Sequence, residues 1–313
     1  MTRAQILRRI GQAVLVLLIT YTVAFLLLSA LPSDGVMARY ASPDLALSAE
    51  EIARIRETYG ADEPLLLQYL QALGGFLTGS FGYSVQTGTA VSTMIVESLP
   101  GTVALSVASF ILAILLALLI AVLATTRTFG FVGDIVRSLP AFMVSLPTFW
   151  LGIVIIQVIS FRLGWVPVID ATPLQSLILP SLTLAVPISA PLAQVLIRSI
   201  DEVNRQPFIQ VVRSRGAGEA WIFWRNILRN AMLPALTMAG LLFGELVGGA
   251  VVTEAVFGRA GIGQMTVQAV ANRDTPVLLA VVVIAATLYV LINLIVDLLY
   301  PVLDPRLRRK VRA

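Results

Sequence analysis

Glu245 is the one acidic residue inside a long apolar run, residues 230–253, that otherwise carries no Asp, Glu, Lys or Arg. A carboxylate in the middle of a membrane span costs about 2.5–3.5 kcal/mol on insertion scales unless a cavity or a partner receives it. The position therefore faces a polar path or a helix interface. A structural hydrogen bond across such an interface, or a protonated and inert carboxyl, fits the same spacing. Residues 198–230 offer a different chemistry, that of a docking surface. Pro207 opens a short helix on which Phe208, Val211 and Val212 fall at i, i+3 and i+4, while Arg213 and Arg215 face elsewhere. Gly216 ends it, because a left-handed C′ position suits glycine. A second helix carries Glu219, Trp221, Ile222, Phe223, Trp224 and Ile227 back towards Leu233-Pro234. An elbow with an apolar face and an arginine rim is what a soluble partner would dock on. An aromatic belt with arginines on the inner side explains Trp221, Trp224, Arg225 and Arg229 equally, but not the length of the loop or its glycine.

Much chemistry is excluded at once. There is no Cys and no His, so a disulfide, a thiolate nucleophile, an imidazole base and a Cys- or His-ligated metal are all absent from the repertoire. No metal site is expected. The one lysine, Lys310, lies near the C-terminus without a glycine-rich loop before it, so the chain cannot form a P-loop of its own. Gly258-Arg259-Ala260-Gly261-Ile262-Gly263 does not have the dinucleotide-binding spacing.

The elements that must position these residues lie in a bilayer. Of 313 residues 58% are hydrophobic and 13% charged, with a mean hydropathy of +0.89, against about 25% charged in soluble domains. A span needs about 20 apolar residues. Charge-free runs at 10–33, 98–126, 138–161, 171–197 and 275–296, with 230–253, predict six transmembrane helices in an all-α polytopic fold. Arg8-Arg9 before the first run and Ser29-Ala30-Leu31 after it suggest a signal peptide. The apolar stretch is too long for one, and it is kept as span 1.

Sixteen of the twenty-two basic residues fall in segments that are cytoplasmic if the N-terminus is. Both termini are therefore expected inside. The arginines sit at span edges, where topology accounts for them without nucleic acid.

The segment 34–97 is then external, and it is acidic. Ser48-Ala49-Glu50-Glu51 predicts a capping box that opens a helix with Ile52, Ile55 and Tyr59 on one face. A second helix starts near Pro64, carries Leu66, Tyr69, Leu70, Leu73 and Leu77, and stops at Gly79. Such a pair forms a lip over the external mouth or lies on the headgroups. Gly240, Gly244 and Gly248 repeat every four residues and predict a smooth face for close helix contact. Asp297 is placed near the inner end of span 6, too far from Glu245 to form a catalytic pair.

The stretch Phe208-Ile209-Gln210-Val211-Val212-Arg213-Ser214-Arg215-Gly216, followed by Trp224-Arg225-Asn226-Ile227-Leu228-Arg229-Asn230-Ala231-Met232-Leu233-Pro234, resembles the EAA loop of the permease subunits of ABC importers. More narrowly it is similar to the B-type permease of the dipeptide, oligopeptide and nickel importers. Further pieces match in order: Gly79-Ser80-Phe81-Gly82-Tyr83-Ser84, Leu99-Pro100-Gly101-Thr102, Ser145-Leu146-Pro147-Thr148-Phe149, Leu179-Pro180-Ser181-Leu182-Thr183 and Gly248 to Phe257. Gln210 stands where the EAA loop has its acidic residue, and Arg259-Ala260-Gly261 replaces Trp-Pro-Gly.

The resemblance implies a type I ABC importer permease fold in a bacterial inner membrane. Residues 1–33 would form the cytoplasmic N-terminus and span 1, 34–97 the external helical segment, 98–301 the permease core, and 302–313 a basic tail. The loop 198–230 would couple to ATPase subunits through Phe208, Val211, Val212, Arg213, Arg215, Gly216 and Glu219. It further implies a homologous second permease, two ATPase subunits that bind ATP and Mg, an external binding protein, and a peptide substrate. On its own chemistry, a Glu245 that faces the path would contact the amino end of such a peptide or act in gating. The chain itself would bind no cofactor and would not be an enzyme. A permease for a nickel complex, glutathione or another short solute is the alternative, and a secondary transporter a more distant one.

Overall fold

The computed structural model describes residues 3–30, 35–40, 47–58, 60, 62–126 and 130–303. Tyr59 and the basic residues after Leu303 lie outside this range, as does the side chain of Asp297. Among the described residues every regular element is a helix, with one isolated bridge between Tyr83 and Ala90. In chain order these are α1 (Arg3–Ser29), α2 (Gly35–Tyr40), α3 (Ala49–Thr58), α4 (Leu65–Thr78), α5 (Val91–Thr125), α6 (Gly130–Ser145) and α7 (Thr148–Ile155). Then come α8 (Gln175–Asn204), α9 (Pro207–Ser214), α10 (Glu219–Ile222), α11 (Leu228–Val256), α12 (Ile262–Ala271) and α13 (Thr275–Leu303). Leu7–Ser29, Val91–Thr125, Gln175–Asn204, Glu219–Leu246 and Thr275–Leu294 are long and apolar enough to cross a membrane.

The expected third span is not one helix. The apolar run 138–161 is divided at Ser145-Leu146-Pro147, and the two halves, Gly133–Ser145 and Thr148–Arg162, meet at 106°. Proline biases its predecessor away from helical geometry, and Pro147 instead starts α7 with an extended φ of −61° and ψ of 129°. The α7 helix widens into π-helical turns over Ile156–Arg162. Span boundaries also move: α8 continues to Asn204, two turns past the point where the loop was expected to begin, and α5 starts at Val91 with Pro100 inside it.

Backbone contacts divide the chain into two compact units, one of residues 103–257 with the end of α13, the other of residues 2–102 and 258–290. In the first unit α8 is central and packs against α6, α7 and α11. Its core is rich in small residues: Ala117 and Ala121 of α5, Ala193 of α8 and Ala231 of α11 are all essentially inaccessible. Small side chains let helix backbones approach where lipid gives apolar side chains no incentive to associate.

The second unit holds two linked clusters. Tyr21 and Phe25 of α1 pack with Tyr69 and Phe76 of α4 and with Leu279 of α13. Val91 and Ile95 pack with Ile262, Met265 and Ala269 of α12 and with Val277 and Val281 of α13. The expected capping box is present: Ser48 N and Oγ each donate to Glu51 Oε2 at 2.8 Å, and Glu51 N donates to Ser48 Oγ at 3.3 Å. The backbone N–H bond, helped by the hydroxyl, holds the Glu51 carboxyl below its ordinary range. The α4 helix ends at Gly79 with φ of 78°. Its packed face, however, is Tyr69, Ala72, Leu73 and Phe76, whereas Leu66, Leu70 and Leu77 are exposed.

The loop after α4 turns on Gly79, Gly82 and Gly88, all at positive φ. Ser84 Oγ accepts the backbone N–H groups of Gln86 and Thr87 and donates to the buried Asp274 carboxylate just before α13. Asp274 also accepts from the backbone of Val85 and Gln86. The motif Pro100-Gly101-Thr102 has a comparable role. A Cβ on Gly101 would stand 2.5 Å from the carbonyl oxygen of Ala260. Beside it, Thr102 Oγ1 accepts the N–H of Ile262 at 2.8 Å, satisfying one donor at the start of α12.

Candidate functional site

The elbow is built from the end of α8, α9 and α10. Gln206 is extended and Pro207 occupies the first turn of α9, where its missing N–H costs nothing. After Arg215 the chain reverses at Gly216, whose φ of +81° is in the left-handed region and whose surroundings are open. Arg213 and Glu219 bridge this reversal with two contacts, Nε to Oε1 at 2.5 Å and Nη2 to Oε2 at 2.9 Å. The carboxylate holds the guanidinium charged and raises its pKa. The pair is solvent-exposed, so it fixes the shape of the turn more than it stabilises the fold.

The face of α9 differs from the sequence expectation. Ile209 is fully buried and is the anchor of the helix, and Val212 packs beside it against the core. Phe208 and Val211 point outward, 38% and 51% exposed. The expected triple of Phe208, Val211 and Val212 is therefore split. At 100° per residue Val212 lies between Phe208 and Ile209 on the wheel, and the core claims it together with Ile209. Phe208, Val211 and Arg215 remain as one exposed stripe at i, i+3 and i+7. On the other arm, Ile222, Phe223 and Ile227 are buried while Trp221 and Trp224 are exposed, with Arg225 over the Trp221 ring at 5.7 Å. That arm is not a separate short helix: α10 passes through π-helical turns at Phe223–Ile227 directly into α11.

A cluster that the sequence did not reveal holds the elbow in place. Arg137 of α6 pairs with Asp201 of α8 through Nη1 to Oδ2 at 2.7 Å and Nη2 to Oδ1 at 3.2 Å, and its Nε donates to the carbonyl of Ala124 at the end of α5 at 3.0 Å. One guanidinium thus joins three helices one turn before α9. A planar fork with five donors does this and an ammonium does not.

On α11 the residues Leu241, Glu245, Gly248 and Val252 form an exposed stripe. Glu245 has no hydrogen bond or ion pair among the described residues. The glycine stripe is not uniformly a packing face: Gly244 is buried, Gly240 half-buried, and a Cβ on Gly248 would meet nothing within 4 Å. Close packing occurs instead at Gly249, where a Cβ would lie 3.3 Å from Leu184, and at Gly152, where Val256 and Phe257 would be at 3.3 Å. Glu254, expected outside the span, is fully buried near the end of α11.

Residues 113–309, which include the elbow and Glu245, match the family described as binding-protein-dependent transport system inner membrane component, and residues 1–106 match the N-terminal part of such membrane components. The chain belongs to this family. As a member it is a membrane-spanning permease component of a bacterial ABC transport system.

Among its relatives, a probable peptide ABC transporter permease protein, y4tP, of Sinorhizobium fredii is 36% identical over 97% of this chain and 98% of that one. The oligopeptide transport system permease protein AppB of Bacillus subtilis is 34% identical over 97% and 99%. The glutathione transport system permease protein GsiC of Escherichia coli K12 is 32% identical over 97% and 99%.

Among solved structures, the inward-facing MetNI methionine ABC transporter superposes with a TM-score of 0.57 at 21% identity, covering 67% of this chain and 96% of that one. An amino acid ABC transporter superposes with a TM-score of 0.54 at 17% identity, covering 67% and 94%. The permease component thus has the type I ABC importer permease fold.

Proposed function

We propose that this permease forms half of a translocation path for short peptides, working beside a homologous second permease and driven by ATP hydrolysed in separate subunits. Those subunits hold the ATP and Mg and dock on the elbow; an external binding protein delivers the substrate. The observation that carries the coupling role is the exposed Phe208–Val211–Arg215 stripe on a helix anchored from behind by Ile209. A surface helix that packs Ile209 and Val212 on the core and still presents two apolar residues outward is shaped for a partner. The full-length similarity to permeases named for peptide and oligopeptide transport supports the substrate class.

Glu245, exposed in mid-span with no partner among the described residues, suits the cationic amino end of a peptide. Glutathione is a second reading, favoured by the relatives named for it; it is itself a short peptide with a free amino group. The excess of basic residues in the N-terminus, the elbow and the tail supports placing both termini in the cytoplasm.

Gly216→Pro tests the coupling role, since proline is confined to φ near −65° and the turn requires +81°. The expected result is a complex that inserts and still hydrolyses ATP but no longer takes up radiolabelled peptide in proteoliposomes. Uptake at the wild-type rate would remove the elbow from the mechanism.

A further inference from the structure

We propose that α4, although it follows an acidic extramembrane segment, is embedded in the bilayer, with Leu66, Leu70 and Leu77 resting on phospholipid acyl chains. Its depth is read from the spans it packs on. Tyr69 and Phe76 contact Tyr21, and the Tyr21 hydroxyl donates to the Tyr69 carbonyl. Thr22 Oγ1 is 2.9 Å from the Tyr69 hydroxyl. Tyr21 lies eight residues before the end of α1 at Ser29, or about 12 Å along the axis at 1.5 Å per residue. From α13, Leu279 and Val283 belong to the same packed cluster as the α4 residues, four and eight residues after its start at Thr275, or about 6–12 Å. Two spans therefore place α4 at the same level, within the half-thickness of about 15 Å of the hydrocarbon core.

The chemistry of the segment agrees with that depth. Residues 64–96 contain no Asp, Glu, Lys or Arg. Leu66, Leu70 and Leu77 are 70%, 54% and 83% exposed, which is costly in water and free in lipid. On a wheel of 100° per residue they form one face, the packed Tyr69, Ala72, Leu73 and Phe76 a second, and Gln68, Gln71 and Thr78 a third. A helix lying within one leaflet needs such a set: a side for the protein, a side for acyl chains and a side for water. At the same level of α1, on its side away from α4, Val23, Leu26 and Leu27 are likewise 49%, 50% and 67% exposed.

Because the chain has no cysteine, Leu66→Cys, Leu77→Cys and Gln71→Cys can each carry a single nitroxide label in the assembled transporter, in nanodiscs of phosphatidylethanolamine and phosphatidylglycerol. At Leu66 and Leu77 the collision rate with oxygen should exceed that with a water-soluble nickel chelate several-fold, as at a Leu27→Cys reference on α1; at Gln71 the order should reverse. Preferential access of the nickel chelate at Leu66 and Leu77 would overturn the proposal in favour of a water-exposed lip. Low access of both quenchers there would overturn it in favour of a covering protein subunit.

Discussion

Ser84 and Asp274 meet through a buried hydrogen bond although 190 residues separate them. The serine lies in the glycine turn after α4 and the aspartate at the start of α13, so the bond ties the segment between the first two spans to the entrance of the last. With the N–H groups of Val85 and Gln86, it surrounds a carboxylate that would otherwise be buried without compensation. Ser84→Ala should cost about 1–3 kcal/mol and lower the melting temperature of the detergent-solubilised transporter, with Asp274→Ala at least as damaging. Unchanged melting in both variants would show that the bond does not hold the unit together.

Gly101→Ala should be more disruptive than its size suggests. The added methyl would meet a carbonyl oxygen at 2.5 Å, and that oxygen belongs to backbone rather than to a flexible side chain. Either α5 or the turn before α12 must move, breaking the Thr102 bond to Ile262. We expect a loss of membrane-inserted protein and faster proteolysis near residues 258–262, read by immunoblot. Gly248→Ala, with open space around it, is the matched control and should accumulate normally.

The start of α3 should depend on pH. The folded pKa of Glu51 is depressed by its bonds from Ser48, so the stabilisation is fully present above the unfolded carboxylate value of about 4.3 and is lost as pH falls through the lowered folded value. Hydrogen exchange at residues 49–52 of the intact protein should be slower at pH 6 than at pH 3 after correction for intrinsic rates. Ser48→Ala, which keeps the backbone donor, should reduce the difference, and Glu51→Gln should abolish it.

Glu245→Gln tests the proposed part of this carboxylate in substrate recognition apart from assembly. The side chain has no partner among the described residues, so the variant should assemble normally. Uptake of peptides with a free amino end should fall several-fold while N-acetylated peptides are less affected. Equal kinetics for both substrates in both proteins would leave the carboxylate without a part in recognition.

Sequence alone was informative where one short segment decides the outcome. The capping box at Ser48 and Glu51, the end of α4 at Gly79 and the reversal at Gly216 follow from local backbone chemistry, and five of the expected spans follow from charge-free length. The bend at Pro147 was less legible, because both flanks are equally apolar and periodicity carries no direction. Ile209 was missed because neighbouring positions of α9 are all apolar, and only the neighbouring helices decide which ones face inward. The Arg137–Asp201 pair, 64 residues apart, and the bond from Ser84 to Asp274 depend on tertiary approach, which no local pattern encodes. The elbow was found from its composition; its supports were not.

The continuity of α10 with α11 makes the elbow's second arm a lever. From Glu219 to Val256 the chain is one helical rod, about 57 Å long at 1.5 Å per residue. A tilt of about 5° at the Trp221 end, with the rod stiff, sweeps the far end through roughly 5 Å, close to one helical pitch. Under the proposed coupling, a small angular input at the arm near Arg213 and Glu219 would become a large displacement at Glu254, with Glu245 carried in between. Pro234 is the point where the rod has lost a hydrogen bond, and it is where such a stroke would be absorbed as bending.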